Sequence, residues 1–125
     1  MISDRKLWTW HLAAGLVILL LLGLHMAIMH LDALLGIFNP AGGHPIDWGN
    51  VVARAQSLFF TISYIVLLGV ALFHGLYGLR NIIFELDPAE PLRRSIGWVL
   101  ILVGVGVFAY GTWAAWASYG RALTS

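Results

Sequence analysis

Three long apolar runs dominate the chain. Residues 7–29 contain no Asp, Glu, Lys or Arg, residues 57–84 stay uncharged until Arg80, and residues 96–117 carry no charge. Each is long enough for the roughly 20 residues that cross a bilayer as a helix. Helix is the conformation expected of each, because lipid offers the backbone no hydrogen-bond partner. The stretch at 39–50 is rich in Gly, Pro, Asn and Asp and reads as a loop. Residues 31–38 before it read as an extension of the first helix along the interface. Pro88 and Pro91 punctuate the second connector, residues 86–95. The pattern predicts an all-α integral membrane protein: a single membrane domain, 1–125, with transmembrane helices at about 7–29, 57–84 and 96–117.

Composition narrows the class. Hydrophobic residues make up 60% of the 125 and charged residues only 10%, against roughly 25% charged in a soluble domain. A water-soluble enzyme and a disordered tail are excluded. So is a nucleic-acid binder, since seven basic and six acidic residues create no basic field. With no cysteine, disulfides, iron–sulfur clusters, thiolate zinc and covalently attached haem are excluded as well. Metal chemistry is left to five histidines, the carboxylates and three methionines.

Arg5, Lys6, Arg93 and Arg94, with Arg80 close by, lie on the side of the N-terminus and second connector; only Arg54 and Arg121 lie on the other. By the positive-inside rule the N-terminus is expected in the cytoplasm. Trp8, Trp10 and Trp98 fall near the inner boundary, Trp113 and Trp116 near the outer one. The first span is too long for a signal-peptide core and starts too early to follow a transit peptide. The expected location is a bacterial or archaeal cytoplasmic membrane.

Ionisable side chains inside a membrane are costly and mark function. His11 and His25 lie in the first span, with His30 near its end, and His74 and Arg80 lie in the second. His74 is six residues before Arg80, about 9 Å deeper at 1.5 Å per residue. Its helix neighbours Ala71, Gly75, Gly78 and Asn81 leave room for a flat, bulky group. A neutral imidazole is a metal ligand that survives desolvation, so haem ligation stands beside simple helix packing as a reading of His74. Arg80 either snorkels to headgroups or pairs with an anionic group. His11 and His25 are 14 residues apart, 40° short of four full turns, and share a stripe with Trp8, Gly15, Ile18, Leu22 and Met29. His25 and His74 lie at different depths and cannot share one iron. His44 reads as a loop residue, and Gly97, Gly104 and Gly111, seven apart, read as a packing seam.

The stretch His74-Gly-Leu-Tyr-Gly78-Leu-Arg80-Asn-Ile-Ile-Phe-Glu85 has the form H-x3-G-x-R-x4-[DE]. It resembles the second transmembrane helix of the membrane-anchor cytochrome b subunits of succinate dehydrogenase and fumarate reductase (respiratory complex II). The resemblance implies that His74 is an axial ligand of haem b. It gives Arg80 a place near the haem propionates or the quinone. In one anchor of that family the first helix begins S-x2-H-R-x-S-G; here His11 and Gly15 match, while Leu12 and Ala14 replace the arginine and serine. In the other anchor a tyrosine follows the motif carboxylate, and Leu86 stands there. Trp8 and His11 would then form the rim of a quinone site whose polar contacts come mainly from partners. Some members hold two haems, which assigns the outer one to His25, with His30 the weaker candidate. The resemblance also implies the assembly: a second membrane-anchor subunit completing the helical bundle, an iron–sulfur subunit and a flavoprotein with FAD, all on the lipid bilayer. The chain would bind one or two haem b and contact quinone as a non-catalytic subunit. The alternatives are a cytochrome b subunit of another membrane oxidoreductase and a structural anchor without cofactor.

Overall fold

The computed structural model describes residues 3–35 and 42–124, with side chains described outside 31–35. Four helices follow in order: α1 Asp4–Leu35, α2 Trp48–Ala55, α3 Leu58–Glu85 and α4 Glu90–Thr124. No strand occurs among the described residues. Three of the helices, α1, α3 and α4, are long and apolar enough to cross a membrane, and the chain is a multi-pass membrane protein of helices.

Helix α3 matches the expected span to within a residue at each end, but α1 and α4 overrun theirs. At 32 and 35 residues they measure about 48 and 52 Å, well beyond a hydrocarbon core of roughly 30 Å. The apolar run marks only the part in lipid. Asp4, Glu90, Arg93 and Arg94 are compatible with helix and continue it into the interface. Pro91 sits in the first turn of α4, where a missing N–H costs nothing. The helical extension after 29 runs to Leu35; residues 36–38 lie outside the described residues.

The first connector is not simply a loop, because residues 48–50 open α2. This helix turns its polar face inward. Asn50 is fully buried and Arg54 nearly so. Asn50 Nδ2 donates to the carbonyls of Gly42 (2.9 Å) and His44 (3.0 Å), and Arg54 donates to that of Pro45. Gly42 and Gly43 have φ of 70° and 75°, a region open to glycine at little cost. Gln56 Nε2 then donates to the Ala122 carbonyl at 2.7 Å, tying the connector to the end of α4. At the opposite end of the chain's long helices, Asp87 (φ 49°) turns α3 into α4. Arg93 holds that turn, donating to Asp87 Oδ1 at 2.6 Å and to the Pro88 carbonyl at 3.0 Å.

α3 is the middle of the arrangement. It packs on α1 along one side and on α4 along another, and among the described residues α1 and α4 do not touch. Gly104 and Gly111 face Leu76 and Leu68 of α3, and Gly69 of α3 faces Phe108. Gly97 departs from the expected seam: a Cβ there would meet nothing within 4 Å. Few apolar side chains are buried, Ala14, Ile28 and Ala122 among them, while large ones such as Leu19, Leu20 and Leu102 are mostly exposed. Such surface is ordinary against lipid or another membrane chain, where water drives no burial.

Candidate functional site

The site forms where α1 crosses α3. Trp8, His11 and Gly15 occupy successive turns of α1, and His74, Tyr77 and Gly78 the facing turns of α3. The imidazoles of His11 and His74 stack with centroids 4.0 Å apart and planes 6° from parallel. Trp8 stacks on the outer side of His11 at 5.6 Å, and Tyr77 leans on it at 5.3 Å. Two glycines permit the approach. A Cβ on Gly15 would come within 3.0 Å of His74 Cε1, and one on Gly78 within 3.4 Å of His11 Cε1.

His74 Nδ1 lies 3.0 Å from the carbonyl oxygen of His11. A carbonyl only accepts, so Nδ1 carries the proton, and a neutral ring then presents Nε2 as a lone pair. Metal-bound histidines are oriented in this way, the second nitrogen held by a carbonyl or carboxylate. No hydrogen bond to Nε2 occurs among the described residues. Gly75, adjacent to His74, is exposed, and a Cβ there would meet nothing within 4 Å. His74 would hold a haem iron through Nε2, and its hydrogen bonding fits that role. His11 would not hold the same iron, because the two imidazoles lie face to face and cannot both aim a nitrogen at one metal. His11 is half-buried in the helix contact, and its Nδ1 is buried without a hydrogen bond.

The remaining candidates separate. His25 lies against Tyr64 of α3, edge to face at 6.2 Å, 14 residues and about 21 Å along α1 from His11. It joins neither His74 nor any group of three metal-ligating side chains among the described residues. His30 Nδ1 is 3.2 Å from the carbonyl of Met26 on its own helix. His44 accepts from Asn50 through its carbonyl, and its N–H donates to Asp47 at 2.8 Å. Arg80 is 240° around α3 from His74 and lines a cavity of about 680 Å³ with Arg93, Arg94 and Trp98. Its guanidinium lies over the Phe84 ring at 4.3 Å and donates to Asn81 Oδ1 at 3.3 Å. Tyr77 was legible only by position: it is three residues after His74 and three before Arg80, and its ring reaches His11 and Arg80.

Three helices long and apolar enough to cross a membrane, with a stacked pair of half-buried imidazoles at one crossing, define a helical membrane protein. The chain is similar to the succinate dehydrogenase hydrophobic membrane anchor subunit of Thermoplasma acidophilum, 26% identical over 99 residues, which is 78% of this chain and 73% of that protein. The likeness supports a membrane anchor subunit of the succinate dehydrogenase, or complex II, type. No family model and no solved structure matches the chain.

Proposed function

We propose that this chain is a haem b-binding membrane anchor of a complex II-type succinate:quinone oxidoreductase, set in the cytoplasmic membrane with its N-terminus inside. The observation that carries the reading is His74, its Nδ1 committed to the His11 carbonyl and its Nε2 left for a ligand beside the open face at Gly75. Haem bound there would supply one-electron storage, at a potential governed by the axial ligands, burial and nearby charge. The chain's own part is to hold the imidazole in one tautomer, exclude water with Trp8 and Tyr77, and leave any further ligand to a second anchor subunit. Trp8 and His11 form one wall near a quinone site. The iron–sulfur subunit and the FAD flavoprotein dock on the charged ends of α1, α3 and α4. His25 is the ligand of an outer haem where the complex holds two.

The test is the reduced-minus-oxidised spectrum of the purified complex. His74→Ala loses the b-type signal, and a normal spectrum in that variant refutes the assignment. His25→Ala removes only a second haem, and a content of one haem per complex refutes that part. A cofactor-free anchor is the second reading, favoured by the way the two imidazoles already pack on each other. It predicts no haem spectrum in the wild type.

A further inference from the structure

On the side of α3 turned toward α4, two cavities share a wall. One is an apolar trough of about 600 Å³ between α3 and α4, its deep end at Gly69 and Phe108 and its sides formed by Leu72, Leu76 and Val105. The other is the polar cavity of about 680 Å³ around Arg80, Arg93 and Arg94, with the carboxylates of Asp4 of α1 and Glu90 also on its wall. Tyr77, Arg80, Gly97 and Ile101 line both. From Gly69 to Arg80 is eleven residues, about 16 Å along the helix, or half of a hydrocarbon core of roughly 30 Å. The trough is thus as deep as one leaflet.

The charges at its mouth differ in their company. Arg93 is held by Asp87 at 2.6 Å and Arg94 by Glu90 at 3.4 Å. Among the described residues no carboxylate lies within 4 Å of the Arg80 guanidinium, which rests on Phe84 and Tyr77 instead. A cation presented at the polar end of a leaflet-deep apolar trough matches an anionic headgroup on a long hydrocarbon chain. Basic cavities between transmembrane helices hold lipid headgroups in this way. A neutral quinone ring would leave the charge of Arg80 uncompensated.

We propose that the α3–α4 face is a binding site for one anionic phospholipid, its phosphate on Arg80 and one chain in the trough from Gly97 to Gly69. Tyr77, which leans on His11, adjoins both this site and the His74 crossing, and the lipid does not depend on haem. Gly97, with open space at its Cβ position, keeps the passage between headgroup and chain clear.

Native mass spectrometry of the full chain in detergent tests the proposal, with phosphatidylglycerol and phosphatidylcholine of equal chain length as probes. The wild type retains one phosphatidylglycerol in preference to phosphatidylcholine. Arg80→Gln lowers that preference about fivefold, the effect of one arginine at an anionic lipid, and Arg80→Lys keeps most of it. Gly97→Leu blocks the passage and loses the lipid while helix content by circular dichroism and any haem absorbance stay unchanged. Excess inorganic phosphate does not displace the lipid. Equal retention of the two lipids, an undiminished preference in Arg80→Gln, or undiminished retention in Gly97→Leu would overturn the proposal. Displacement by phosphate alone would make this a bare anion site, and displacement by an equal amount of a quinone would make it a quinone site. Either result overturns the lipid assignment and leaves the His74 reading untouched.

Discussion

His74 is bound to His11 twice over, by a stack of side chains at 4.0 Å and by a hydrogen bond from Nδ1 to the His11 backbone carbonyl at 3.0 Å. The two contacts have different chemistry. The stack depends on what side chain residue 11 carries; the hydrogen bond does not.

His11→Phe is therefore expected to keep both contacts and to remove an imidazole nitrogen that is buried without a partner. Deleting such an orphan is neutral or stabilising. The thermal midpoint in detergent should not fall, and a haem spectrum should persist. His11→Ala keeps the hydrogen bond but loses the stack, with a cost of about 1–3 kcal/mol from the gap. Loss of haem in His11→Phe would show that residue 11 is itself a ligand.

Gly15→Ala sets a methyl 3.0 Å from His74 Cε1 and 3.3 Å from its Nδ1. A ring stacked on one side cannot yield without leaving its hydrogen bond. The expected loss is about 1–3 kcal/mol, typical of overpacking. In a His74→Ala background most of that penalty should vanish, and a double-mutant cycle of thermal stabilities measures it. Additive effects would place the strain elsewhere.

Gly69 and Gly75 make a matched pair six residues apart on α3. A Cβ at Gly69 would press on the Phe108 ring at 3.1 Å, while one at Gly75 would meet nothing within 4 Å. Gly69→Ala should destabilise the chain by about 1 kcal/mol or more, and Gly75→Ala should leave it unchanged. In the assembled complex the order reverses if a porphyrin or partner helix lies against Gly75: haem retention falls in Gly75→Ala and is unaffected in Gly69→Ala.

Asn50→Ala removes the buried amide that donates to the Gly42 and His44 carbonyls. Leaving them without that donor costs about 1–3 kcal/mol, all of it local to the connector. Hydrogen exchange should rise across residues 42–47 and stay unchanged in α3. Exchange that rises in α3 as well would mean that α2 stabilises the membrane helices themselves.

The spans were legible because lipid imposes a length and a composition. The ends of α3 were the sharpest because Ser57 precedes it and Asp87-Pro88 closes it. α2 escaped notice because its inward face is Asn50 and Arg54, the reverse of an apolar stripe, and only Asp47 ahead of Trp48 hinted at a helix start. The depth of His11 was available as arithmetic: it lies six residues past Arg5, as His74 lies six before Arg80. The two are thus about 9 Å beneath matching basic residues. Which way Arg80 turns was beyond a motif, because a spacing gives angle around the helix and not the neighbour waiting there. The glycine seam failed at Gly97 for the same reason.

Among the described residues the backbones of α1 and α4 do not approach each other, and each packs on α3 instead. A haem held by His74 as proposed would then need a wall from another polypeptide, so cells making this chain alone should yield colourless membranes, and colour would report assembly.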